Sequence, residues 1–142
     1  FTFAPDVQGP MSIDTLETIL EEKPQLIMIG GPPLYLARFK VDEEQVRLGL
    51  KNLETIVDII PSVILEHHIL RDENWREKIR NVFNRTRKAK CDLLTAAEFL
   101  GKQNVFLEAA RKRLFALNQP SKEFEKWMRG SIETRKHVKP PI

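Results

Sequence analysis

Two adjacent histidines, His67 and His68, follow the apolar run Val63-Ile64-Leu65 and the acid Glu66, and they precede Arg71-Asp72. The chain has only 3 histidines in 142 residues, so this pair concentrates most of its imidazole chemistry at one point. A second candidate group is Asp6, in the loop Pro5-Asp6-Val7-Gln8-Gly9-Pro10, and a third stretch of interest is Gly30-Gly31-Pro32-Pro33. Neutral imidazole and carboxylate are the usual donors to zinc, iron and manganese. Asp6, His67 and His68 are therefore candidate ligands for one or two such ions. Adjacent histidines at the end of a strand point to opposite sides. One of them then reaches a given ion, while the other, or Glu66 or Asp72, orients it from behind. The plainer reading has one imidazole packed and the other in water, with Asp72 capping the next helix. Gly30-Gly31 is a weak phosphate loop, because no Lys-Ser/Thr follows and two prolines remove backbone donors.

The elements that must position these groups alternate along the chain. Thr2-Phe3-Ala4 is strand-like, and Ser12 caps a helix bearing Ile13, Leu16, Ile19 and Leu20 on one face. Leu26-Ile27-Met28-Ile29 is apolar at every position, the pattern of a strand buried on both faces. Asp42 with Gln45 reads as a capping box opening a helix, with the stripe Val46, Leu50, Leu53, Val57 and Ile60. Val63-Ile64-Leu65 is the next strand, and residues 73–88 read as one helix with Trp75, Ile79, Val82 and Phe83 inward. Leu93-Leu94 reads as a last strand, and Thr95 with Glu98 as a capping box for a helix ending at Gly101. Residues 104–117 and 121–129 read as two further helices, and 137–142 as a tail. The order implies an α/β layer fold with largely parallel strands. In such a sheet ligands bind beyond the carboxyl ends of the strands. The loops carrying Asp6, the glycine pair and the histidine pair would then open on one rim.

Composition narrows the setting. No apolar run approaches the roughly 18 residues that span a bilayer, which excludes a membrane-spanning helix. One cysteine, Cys91, reads as core packing and suits a reducing, cytoplasmic setting. Residues 1–70 hold 5 Lys/Arg against 11 Asp/Glu, whereas residues 71–142 hold 18 against 9. Arg76, Lys78, Arg80, Arg85, Arg87, Lys88 and Lys90 make the second half a candidate footprint for nucleic acid. The alternative is a set of solvated helix faces. The chain opens on the strand-like Phe1-Thr2-Phe3 with no charged leader, which reads as a molecule whose preceding part lies elsewhere.

Four blocks, FTFAPDVQGP, LIMIGGPPLYL, VILEHHILRDENWREK and LLTAAEFLG, occur in that order across residues 1–110. Together they resemble the C-terminal half of an uncharacterised archaeal family of metallo-β-lactamase-fold proteins. The resemblance implies an α/β fold that is half of a four-layer αββα sandwich, over residues 1–110, with a helical extension and tail over 111–142. It implies a hydrolase with one or two ions, in which Asp6 is the bridging carboxylate and His67, or else His68, the last histidine. Asp6 and His67 would then be the catalytic pair. The family's His-x-His-x-Asp-His motif is absent from these residues. The expected partner is therefore an N-terminal half, as a separate or cleaved chain, covering an apolar sheet face too large for a monomer. Self-association into a homo-oligomer stays open. The resulting expectation is a metal-dependent hydrolase acting through activated water, on a phosphodiester or nucleic acid. Its rival is a non-catalytic module that binds metal or nucleic acid.

Overall fold

The computed structural model describes residues 1–141, and within them the chain separates into two units that divide between Ala109 and Ala110. The first unit carries the candidate groups. It runs β1 (Thr2–Ala4), α1 (Ile13–Glu21), β2 (Leu26–Ile29), a 3-10 turn (Leu34–Leu36), α2 (Glu43–Ile59) and β3 (Ser62–Leu65). It continues with α3 (His67–Leu70), α4 (Trp75–Lys78), α5 (Arg80–Ala89), β4 (Asp92–Thr95) and α6 (Ala96–Phe99).

The four strands form one sheet in the order β1-β2-β3-β4, with every neighbouring pair parallel. Parallel strands laid down in sequence order, each crossover right-handed, send all their helices to the same face. The core agrees with that rule. Ile27, Ile29, Val63, Leu65 and Leu93 from the sheet join Leu16 and Ile19 of α1, Leu53, Ile56 and Val57 of α2, and Val82 of α5. Phe3, Met28, Ile64 and Leu94 share one register row and point the other way, outside that cluster. Burial in β2 therefore alternates, with Ile27 and Ile29 enclosed and Leu26 and Met28 half-buried. The reading of β2 as buried on both faces is corrected by this one-sided packing. The sheet is α/β and parallel as expected, but the two-sheet αββα sandwich implied by the resemblance is not shown.

Local chemistry explains most helix starts. Ser12 accepts from the Thr15 amide, Asp42 from the Glu44 amide, and Thr95 and Glu98 make both halves of a capping box. The expected helix over 73–88 is instead α4 and α5, joined at Ile79 with φ −103° and ψ 22°. The Ile79 amide still bonds the Trp75 carbonyl, and the Phe83 amide bonds that of Ile79. This is a kink that keeps Trp75, Ile79 and Val82 all buried. Helix α7 (Arg111–Leu117) begins well after residue 104. Asn104 is tied to Thr95 and Glu98 by side-chain bonds of 2.6 and 2.9 Å, and Phe106 meets the Trp75 ring edge-on. Those ties hold the segment out of helical geometry. Cys91 is buried, and burial pushes its thiol up to about 11, so it is a protonated core residue at neutral pH.

The second unit holds α7, α8 (Lys122–Met128) and α9 (Ile132–His137). Ser121 and Ser131 cap the last two by accepting from the Phe124 and Thr134 amides. The Trp127 indole donates to the Val138 carbonyl at 2.7 Å. Helix α9 lies between the helix read over 121–129 and the tail read over 137–142, and it overlaps that tail only at His137. Among the described residues no helix is long and apolar enough to cross a membrane.

Leu53 is fully enclosed at the centre of the α2 stripe. Leu53→Ala is expected to lower the unfolding free energy of the chain by about 3 kcal/mol, measured by urea denaturation followed by circular dichroism.

Candidate metal centre

Parallel strands align their carboxyl ends, so the residues following β1, β2 and β3 meet on one rim. Asp6 follows β1, Gly30 follows β2, and Glu66, His67 and His68 follow β3. The chain does not continue extended into the histidines. It turns at Glu66 into the single-turn helix α3, which begins at His67. Two backbone bonds pin that turn to the end of β2, from the Glu66 amide to the Ile29 carbonyl at 2.9 Å and from the Ile69 amide to the Gly30 carbonyl at 2.8 Å.

Gly30 allows the approach. A Cβ there would overlap the Pro5 carbonyl oxygen and lie 2.9 Å from Cδ2 of His68. Gly31 sits at φ +71°, and a Cβ on it would lie 2.6 Å from that of Ile69. The Asp6 loop is held from the other side, where the buried Asn52 of α2 donates to the Pro10 carbonyl at 3.0 Å. Sequence reading passes over Asn52. Its only signal is a polar residue beside the apolar stripe of α2.

Helical geometry turns successive side chains by about 100° instead of 180°, so both imidazoles face the same way. Their ring centroids are 4.1 Å apart, tilted by 38°. The Nε2 atoms of His67 and His68 lie 3.4 and 3.5 Å from Oδ1 of Asp6. The expectation that adjacent histidines diverge is therefore corrected. One donor atom from each of Asp6, His67 and His68 falls within 4.8 Å of the others. Contacts of 3.4 and 3.5 Å are long for hydrogen bonds to a carboxylate. They match the edge of a coordination tetrahedron, about 3.3 Å for metal–donor bonds of about 2.0–2.1 Å.

The surroundings differ for each group. The Asp6 side chain is 80% exposed, His67 is 34% exposed and His68 is 14% exposed. The Glu66 carboxylate contacts Nδ1 of His67; a proton held there leaves Nε2 with its lone pair. Burial first, then the charges of His67 and Arg71, hold the His68 pKa below its ordinary 6.5 against the opposing pull of Asp6. His68 is therefore mostly neutral at pH 7, and among the described residues its buried Nδ1 has no hydrogen-bond partner. Asp72 plays no part here. It accepts from the Asn74 amide and pairs with Lys78.

Four cations of the basic run on α4 and α5 are paired within the unit, while Arg87, Lys88 and Lys90 are exposed. Arg76 pairs with Glu98, Lys78 with Asp72, Arg80 with Glu77, and Arg85 with both Glu54 and Asp58.

The chain is similar to archaeal proteins that carry the name UPF0282 protein. It is 34% identical over 117 residues to one from Korarchaeum cryptofilum, covering 82% of this chain and 39% of that protein. It is 40% identical over 111 residues to one from Methanopyrus kandleri, covering 78% and 36%. A third, from Pyrobaculum arsenaticum, is 38% identical over 126 residues, covering 85% and 39%. The chain thus spans well under half the length of these curated relatives. No family model and no solved structure matches. These findings overturn the resemblance to the metallo-β-lactamase superfamily: the relatives are UPF0282 proteins from archaea, and the hydrolase and zinc labels that came with that resemblance lose their support.

Proposed function

We propose that Asp6, His67 and His68 form a divalent-cation site that holds water for hydrolytic attack on a substrate bound at the sheet rim. The observation that carries this reading is the meeting of the three donor atoms within 4.8 Å of one another, with both imidazole nitrogens at tetrahedral-edge distances from Asp6. The donor set suits first-row ions that accept imidazole and carboxylate together. Three protein donors with an exposed carboxylate leave a fourth position open to solvent, the arrangement of catalytic and not structural sites. A bound ion would lower the pKa of water in that position toward neutrality. His67, held by Glu66, and His68, kept neutral by burial, present their Nε2 atoms. Asp6 supplies negative charge at the solvent edge.

The proposed centre draws on more polypeptide than this chain. The side of the sheet away from the core cluster carries Phe3, 64% exposed, with Met28 and Leu94 half-buried and Ile64 buried in the same row. The matched relatives are more than twice as long as the matched segment. Both facts support a further segment of the same protein packing on that row and adding donors to the rim. The basic residues of α4 and α5 are not among the groups gathered at the rim: Arg76, Lys78, Arg80 and Arg85 pair with carboxylates, and Arg87, Lys88 and Lys90 are exposed at the end of α5. A small anionic substrate suits the rim better. The second reading is a non-catalytic ion that only tethers the β1 and β3 loops, and the retention of fold separates the two.

Calorimetric titration of the chain with Co2+ or Mn2+ is expected to give one ion per chain. Asp6→Asn, His67→Ala and His68→Ala should each abolish binding with circular dichroism unchanged, and Glu66→Gln should weaken it about 10- to 100-fold. Titration curves indistinguishable from those of the unsubstituted chain would remove the site, and unfolding of the variants would favour the tethering ion. Gly30→Val should also lose the ion, because its side chain takes the space of the Pro5 carbonyl and the His68 ring.

Protons compete for the same nitrogens. Since the His68 pKa lies below 6.5, that imidazole stays available at pH 7, and protonation on acidification removes it. Affinity measured from pH 7.5 down to 5 is expected to fall with pH. A flat profile would argue against imidazole ligands.

A further inference from the structure

A cavity of about 330 Å3 opens beside His67, between the carboxyl ends of β3 and β4. Its wall is mostly apolar and includes Leu70, Val105 and Leu107. Val105 and Leu107 are 73% and 64% exposed, an unfavourable placement for two aliphatic side chains that the fold nevertheless enforces. Asn104 is bonded to Thr95 and Glu98, and Phe106 sits against Trp75. Those anchors hold the segment from Asn104 to Glu108 along the cavity, with Val105 and Leu107 among its lining residues. The wall is held by part-buried contacts.

Arg71 lines the same cavity. One guanidinium nitrogen donates to the Tyr35 hydroxyl at 2.8 Å, and the group lies 5.6 Å from the centroid of that ring. Its Nε is buried with no hydrogen-bond partner. Of the carboxylates nearby, Asp72 pairs with Lys78, Glu98 with Arg76, and Glu66 with His67, and Glu66 and Glu108 line the same cavity. Arg71 is thus a positioned cation, held by an aromatic hydroxyl instead of by a counter-charge. A planar fork of N–H donors in that state is matched by a carboxylate or a phosphate.

We propose that this cavity is a subsite for an amphiphilic anion, with Arg71 gripping the oxyanion and Leu70, Val105 and Leu107 enclosing an aryl or acyl group. The charge of Arg71 and the apolar wall select together. A neutral molecule of the same shape lacks the first, and a bare inorganic anion lacks the second. As the substrate site of the cation centre, the subsite rests on the reading above, whereas its affinity for such a ligand does not.

The test uses the 142-residue chain in EDTA, so that failure of the cation site cannot affect the result. Probes are 2-naphthyl phosphate, 2-naphthoate, neutral 2-naphthol and inorganic phosphate, followed by amide shifts in two-dimensional NMR. One or both naphthyl anions are expected to shift the amides of Leu70, Arg71, Val105 and Leu107, and which of them binds identifies the headgroup. Naphthol and inorganic phosphate should bind about tenfold or more weakly. Arg71→Gln should bring the anions down to the level of naphthol. Leu107→Asp, at an exposed position where the fold tolerates charge, should weaken all naphthyl probes. The proposal is overturned if neither anion binds, if naphthol binds equally well, if Arg71→Gln keeps the anion preference, or if the shifts map elsewhere.

Discussion

The rim of this sheet depends on one close approach. The backbone of Gly30 lies against the Pro5 carbonyl on one side and the His68 ring on the other, with no room for a side chain between them. The bond from the Ile69 amide to the Gly30 carbonyl then sets where the chain leaves β3 and begins to coil. Because α3 starts at that point, both imidazoles turn toward Asp6. Were the strand to run two residues further, the alternation of extended backbone would separate them. The geometry of the candidate centre is thus a consequence of packing backbone against backbone.

Around that contact the fold divides its labour between faces and ends. One face of the sheet builds the core with α1, α2 and α5, while the opposite row from Phe3 to Leu94 stays outside it. The chemistry sits at the ends, on loops that a rigid parallel scaffold holds in register. The fourth strand extends the same logic. The capping box at Thr95 and Glu98, with Asn104 bonded to both, holds the segment that carries Val105 and Leu107. A helix cap is in this way also the foundation of a cavity wall.

Charge is distributed with similar economy. Cations of α4 and α5 meet carboxylates of α2, α6 and their own neighbours. Exposed pairs of this kind add little stability, and they offset only part of the basic run, since Arg87, Lys88 and Lys90 stay exposed. Arg71 is held by the Tyr35 hydroxyl and lines the cavity beside His67 as well as the one that Tyr35 lines.

Much of this was legible from residues alone. Apolar runs bounded by prolines marked β2 and β3, capping residues marked α1, α2 and α6, and parallel order put Asp6 and the histidine pair on one rim. Those features depend on neighbours within a few positions, which periodicity and capping chemistry report directly. The tertiary structure alone decided that both imidazoles face Asp6, that Asn52 holds the Asp6 loop, that β2 is covered on one face, and that residues 104–110 are not helical. Each of those outcomes turns on a contact between distant segments, such as Ile69 with Gly30, Asn52 with Pro10 or Phe106 with Trp75. A local pattern can state that a face is apolar or that a group is ionisable. It carries no record of what the folded chain will bring to lie against it.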